Sequence, residues 1–171
     1  MKNMKKVLVL AIVVLGFAAS SFAQVTATAS TTATIITPIA ITKTVDMNFG
    51  NIAVSPTLGG TVVLPTAGSR TLTGGVTLPV VTGTVTAASF TVTGEGSSTY
   101  SITLPSSAIT MNGPSSATMT VQNFVSNPSG TGTLSSGSQQ IKVGATLNVT
   151  AAQAAGTYTN TSGLFVTVNY N

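Results

Sequence analysis

The sequence predicts an all-β protein built from two stacked sheets, and three observations carry that expectation. Beyond residue 23 the chain is dominated by Thr, Ser, Val, Ala and Gly, while the Glu, Lys, Arg and Leu that build surface helices are scarce. Short runs of alternating apolar and polar residues recur between glycine- and proline-marked turns. No stretch beyond the leader shows a capped, 3.6-residue periodicity. About nine or ten short strands at this spacing suggest a two-sheet sandwich, with a barrel as the alternative. No fixed-period repeat favours a solenoid.

The leader is residues 1–23. Lys2, Lys5 and Lys6 precede an apolar run over residues 7–19, and Ser21 and Ala23 supply the small residues a signal peptidase reads. Cleavage is expected between Ala23 and Gln24, because the run is shorter than the ~20 residues a spanning helix needs. Removing the leader takes three of the six Lys+Arg residues with it, so the formal charge of +4 falls to 4 − 3 = +1. The high isoelectric point is a targeting feature and not the clustered basic surface of a nucleic-acid binder. What remains is one domain by size. It has no cysteine and hence no disulfide. Its sparse charge leaves little repulsion between copies.

Residues 24–34 form an extended N-terminal segment. Val25, Ala27 and Ala29 alternate with Thr26, Thr28 and Ser30, and Ala33 and Ile35 continue the same parity. This reads either as a flexible leader or as a strand donated to a neighbour, with alternate side chains filling pockets along an open sheet edge. The sandwich domain spans residues 35–171. Residues 35–44 read as a strand with Ile35, Ile39 and Ile41 facing the core and Pro38 marking an edge or bulge. Phe49 and Ile52 read as core anchors around a Gly50-Asn51 turn. Strands follow at residues 61–64, 78–86 and 89–93. The run Tyr100, Ile102, Leu104 alternates with Ser101 and Thr103, so residues 89–104 read as a β-hairpin around Gly94 and Gly96. Residues 109–111 read as a brief strand, Met119, Val121 and Phe124 as an inward face, and residues 140–149 as two apolar pairs around Gly144. Residues 151–156 read as a short helical turn. Residues 155–171 read as the strand that completes a sheet, in its own molecule or a neighbour's. There Leu164, Val166, Val168 and Tyr170 share one face, with Phe165, Thr167 and Asn169 on the other. Together these strands predict an immunoglobulin-like, Greek-key β-sandwich.

The residue census excludes most chemistry. Without His or Cys there is no catalytic triad, no Cys–His dyad and no zinc site. Beyond the leader the only carboxylates are Asp46 and Glu95. A calcium ion wants six to eight oxygens, usually with several carboxylates, so Asp46 with Asn48 is not a metal site. A two-carboxylate glycosidase would need Asp46 and Glu95 together, and Glu95 stands between two glycines at a loop tip, where solvation suffices. No enzyme, cofactor or metal is expected. Sugar binding by exposed aromatics is the rival reading, although most aromatics fall at alternating core positions. Tyr158, just after Gly156, reads as a tyrosine-corner residue whose hydroxyl closes a connection.

Residues 46–52 (DMNFGNI), 74–76 (GGV), 88–94 (ASFTVTG) and 154–158 (AAGTY) resemble the secreted bacterial domain of unknown function 4402 family over about residues 33–171. That family implies a β-rich secreted domain and no enzymatic activity. The penultimate Tyr170 on an alternating strand, with Gly156 upstream, is more distantly similar to spore-coat-U-type and chaperone–usher pilus subunits, although their usual disulfide is missing and the glycine offset differs. That resemblance implies self-assembly or assembly with other surface subunits, and a periplasmic chaperone. The expected function is a secreted, non-enzymatic structural protein of the periplasm, cell surface or exterior, assembling by β-strand addition. The alternative is a monomeric carbohydrate- or matrix-binding adhesive module. No nucleic acid and no membrane span after cleavage are expected.

Overall fold

In the computed structural model the described residues are 24–161 and 163–171. The expected leader, residues 1–23, lies outside them. The chain divides after Ile35. Residues 24–35 carry no regular secondary structure and are exposed throughout. The remainder is all-β: among the described residues there is no α-helix, only a single turn of 3-10 helix at Pro114–Ser116.

Among the described residues there are twelve strands, where about nine or ten were expected. They are β1 (Ala40–Val45), β2 (Ala53–Val54), β3 (Gly60–Leu64), β4 (Thr71–Gly74), β5 (Val76–Thr77) and β6 (Ala88–Thr93). Then come β7 (Thr99–Thr103), β8 (Ile109–Asn112), β9 (Thr118–Asn127), β10 (Thr131–Thr133), β11 (Ser138–Val149) and β12 (Thr167–Tyr170). All pairings are antiparallel. A seven-stranded sheet runs β1-β6-β11-β3-β4 with β9 and β8 branching from β11, a three-stranded sheet runs β10-β7-β12, and β2 pairs β5.

The twelve-residue β11 organises the molecule. Lys142 pairs Ser89 of β6 and Asn127 of β9, and Thr146 pairs Val63 of β3 and Gln122 of β9. A residue with two partners has one on each edge. So β9 lies along one edge of β11, and β6 and β3 follow one another along the other. Gly144 permits this continuity. A Cβ on it would lie 2.4 Å from the Leu64 carbonyl oxygen, so only glycine lets β3 approach there. Opposite, β9 bulges: Gly144 faces Val125 and Thr146 faces Gln122, leaving Asn123 and Phe124 together against Ala145. Asn123 takes a left-handed φ of 53°, which Asn tolerates better than most residues. The bulge shifts the parity, which is why Phe124 turns inward three residues after Val121.

Every odd residue of β11 from Ile141 to Val149 is buried on one face. Ile141 and Val143 belong to one apolar cluster, with Phe90 and Val92 of β6, Tyr100 and Ile102 of β7, and Val168 of β12. This cluster is shared between the seven-stranded and three-stranded sheets. Ala145, Leu147 and Val149 belong to a second cluster, with Phe49, Val62, Leu64, Val76 and Val121. Met47 and Phe124 pack against both clusters. Within the first cluster, fully buried Tyr100 donates its hydroxyl to Gln139 Oε1 at 2.6 Å, and the Thr133 N–H donates to the same oxygen at 2.9 Å. Burial pushes the Tyr100 pKa up from its ordinary value.

Four expectations are corrected. Residues 89–104 are not a hairpin. β6 pairs β1 and β11 while β7 pairs β10 and β12, so the Gly94–Gly96 loop crosses between sheets. Residues 78–86 form no strand apart from a bridge between Thr86 and Asn48. Pro79 removes one donor, and the rest is a loop held by Asn51, whose N–H donates to the Thr82 carbonyl and whose side-chain amide donates to the Val81 carbonyl. Residues 151–156 are turn and bend, not helix. Ile35 is 98% exposed and does not face the core, whereas Ile39 and Ile41 do pack against it.

Candidate functional site

Among the described residues β1 is hydrogen-bonded only to β6, and β12 only to β7, so each has an edge with no described partner. The two strands converge at one end. The Tyr170 hydroxyl of β12 donates to the Thr37 carbonyl at 2.7 Å and accepts from the Glu95 N–H at 2.6 Å. The Glu95 carboxylate in turn accepts from the Thr37 N–H at 3.0 Å, and that bond holds its pKa below the usual value. Thr37 is therefore held through both of its main-chain groups.

Away from this clamp the strands part and a cleft of about 790 Å³ opens. One wall is the chain over residues 43–52, and the other is made by residues 156–161 and Leu164. Because Tyr170 meets Thr37 at the clamp while Leu164 and Lys43 both line the cleft, the two walls run antiparallel. The floor is core: Ala88 and Phe90 of β6, Val121 of β9 and Leu147 of β11. Ile109, Met111 and Met119 complete it, and Met47 reaches in from the first wall.

Each wall is held from behind. Asn48 exchanges N–H···O bonds with Thr86, and Arg70 donates to the Phe49 and Asn51 carbonyls. On the other side Asn112 and Thr159 exchange bonds at 2.9 Å each. The Tyr158 hydroxyl donates to the Ala154 carbonyl at 2.8 Å and accepts from Gln153 Nε2 at 2.8 Å. This matches the tyrosine-corner reading of Tyr158, a hydroxyl bonded to backbone a few residues upstream. Its ring lies over Gly113, where a Cβ would come within 2.3 Å. The inner side of each wall is less satisfied. Among the described residues, no main-chain hydrogen bond reaches Met47 or residues 164–166.

The rim is polar and nearly neutral, since Lys43 and Asp46 form an exposed ion pair with one another. The arrangement is suited to binding an uncharged, largely apolar group with main-chain hydrogen-bonding capacity at its edges. Among the described residues there is no group of three or more His, Cys, Asp or Glu side chains that could hold a metal.

A family model described as Domain of unknown function (DUF4402) matches residues 39–170. The chain belongs to this family. No curated protein and no solved structure matches it. The DUF4402 match begins just before β1 and ends on β12, so it contains the clamp residues Glu95 and Tyr170 and the whole cleft, and leaves out the segment of residues 24–35. Among the described residues no helix is long and apolar enough to cross a membrane.

The sequence-predicted residues divide into two groups. Val25, Ala27, Ala29, Ala33 and Ile35 are all exposed, and Val25 is 92% so. Val168 belongs to the first cluster and Leu164, Val166 and Tyr170 pack against it, with Phe165 on the outside at 55% exposure. The strand itself is shorter than the pattern, Thr167–Tyr170. Sequence reasoning missed the cleft. A signal was present: every methionine beyond the leader, Met47, Met111 and Met119, lines it. Methionine is the apolar side chain best able to repack around a variable occupant.

Proposed function

We propose that this DUF4402 protein is a secreted, non-enzymatic structural protein of the cell surface whose copies assemble by β-strand addition. The observation that carries the reading is the conjunction of an exposed, alternating segment at residues 24–35, unpaired among the described residues, with a domain whose strands β1 and β12 each keep an edge with no described partner. A free edge offers a row of unpaired N–H and C=O groups, and an extended segment with apolar side chains on one parity is what such an edge takes. Head-to-tail addition that does not close makes a filament. The leader at residues 1–23 supports export, and the small net charge of the remainder supports association. The fold is read as an immunoglobulin-like sandwich. The cluster shared by two sheets and the Tyr158 hydroxyl bond support this.

The test removes residues 24–34. The expected result is loss of filaments in electron microscopy, with an unchanged β-type circular dichroism spectrum. Filaments that persist in the shortened protein would defeat the proposal. A second reading, a monomeric carbohydrate- or matrix-binding module, is favoured by the polar rim of the cleft and by outward-facing Phe165. Glycan-array binding by a strictly monomeric preparation would select it.

A further inference from the structure

We infer that the cleft between residues 43–52 on one side and residues 156–161 with Leu164 on the other is the acceptor site, and that its occupant is the residue 24–35 segment of a second copy. This rests on the strand-addition reading and says which of the free edges takes the strand. Four observations converge on the cleft.

First, its floor is the apolar core itself, including Phe90, Val121 and Leu147, so an occupant with apolar side chains on one parity would bury them against the interior. Second, the walls run antiparallel, and the main-chain groups of Met47 and residues 164–166 have no hydrogen-bond partner among the described residues. A strand laid between them gains hydrogen bonds on both sides, antiparallel to one wall and parallel to the other. Third, the lengths are comparable: the wall over residues 43–52 has ten residues and the donor over residues 24–35 has twelve. Fourth, the chemistry agrees. The donor parity reads Val25, Ala27, Ala29, Thr31, Ala33, Ile35, uncharged and small in the middle, and the cleft has a neutral rim and three adaptable methionines. β4, at the far edge of the large sheet, ends a ladder and contributes no residue to the lining of this cleft.

The absence of native cysteine makes the test clean. Ala29→Cys is made in one preparation of the protein. Met47→Cys, Thr159→Cys and Thr73→Cys are made in three others, placing thiols on the two walls and on β4. Mixing the first with each of the others and adding a short bismaleimide reports only contacts between copies. Thr159 is exposed, so its variant keeps the experiment interpretable if replacing partly buried Met47 disturbs folding. The expected result is heterodimer enriched roughly tenfold or more with the wall thiols over the β4 thiol, as held neighbours react at effective concentrations far above bulk. Filaments that cross-link to Thr73→Cys and not to the walls would overturn the cleft assignment while leaving strand addition standing. No filaments and no cross-link at any position would overturn both. A double variant Ala29→Cys/Thr159→Cys that cross-links within a dilute monomer would show the segment filling its own cleft and would overturn the second-copy occupant.

Discussion

The two ends of β11 are chemically alike and structurally unlike. Ile141 and Val143 at one end, and Ala145, Leu147 and Val149 at the other, lie on one face of one strand, and all are buried. At the first end a complete sheet, β10-β7-β12, covers them, with Tyr100, Ile102 and Val168 inserted between. At the second end the cover is assembled from two-residue strands, loops and part-exposed methionines, and the cleft opens there and reaches Ala88 and Phe90 of the first cluster. An apolar face does not by itself determine how well it is covered. The chain supplies enough strand to close one end, and the other end retains its core residues with an opening onto them.

The largest expected effect of this contrast is in the cost of truncating side chains. Ile141 is fully buried in the sheet-covered end, and replacing it by Ala leaves a cavity that neighbouring strands cannot collapse. Equilibrium denaturation should show a loss of about 2–5 kcal/mol for Ile141→Ala. Met119 is only partly buried and borders space that already exists. Met119→Ala should lose less than half as much. Equal losses at the two positions would mean that the cleft is closed in solution and that the two ends are equally well packed.

This contrast also marks what could be read from the sequence. The all-β class was legible because alternation is local: Leu164, Val166, Val168 and Tyr170 share a face whatever they pair with. The partners were not legible. The runs at residues 89–93 and 99–103 look like a hairpin because their separation is short, yet Ser89 pairs Val45 and Lys142, and Tyr100 pairs Gly132 and Tyr170. Sheet membership depends on which distant strand buries which face, and that leaves no local mark. Gly144 was visible as an interruption of residues 140–149, but the sequence could not show that its missing side chain admits the Leu64 carbonyl and makes one strand of two apolar pairs. The cleft was the least legible of all, because it is a place where cover is missing. Only the three methionines hinted at it.

A smaller effect is expected at the wall of the loosely covered end. Tyr158 holds residues 156–161 through its hydroxyl, bonded to the Ala154 carbonyl and to Gln153, while its ring rests on Gly113. Tyr158→Phe keeps the ring and removes the hydroxyl, at an expected cost of about 0.5–1.5 kcal/mol for the lost bonds. Hydrogen exchange should localise that loss to the Asn112–Thr159 bridge and spare the Tyr100–Gln139 end. A loss spread evenly over both ends would show that the wall is no more independent than the core.

The smallest effect belongs to the clamp, and pH isolates it. The Thr37 N–H bond to the Glu95 carboxylate lowers the pKa of that group below its ordinary 4.5. A depressed carboxylate pKa means that the folded state favours the ionised form. The clamp's contribution is therefore complete above the ordinary value and fades as pH falls through the depressed one. The carboxylate is exposed, so the effect on global stability is slight. The measurement that resolves it is the amide resonance of Thr37 followed by NMR on acidification. It should shift with an apparent pKa below 4.5 in the native protein, and the shift should vanish in Glu95→Gln, which keeps an oxygen acceptor but cannot ionise. An unchanged titration in Glu95→Gln would place the proton elsewhere and leave the Tyr170 hydroxyl as the group that holds Thr37.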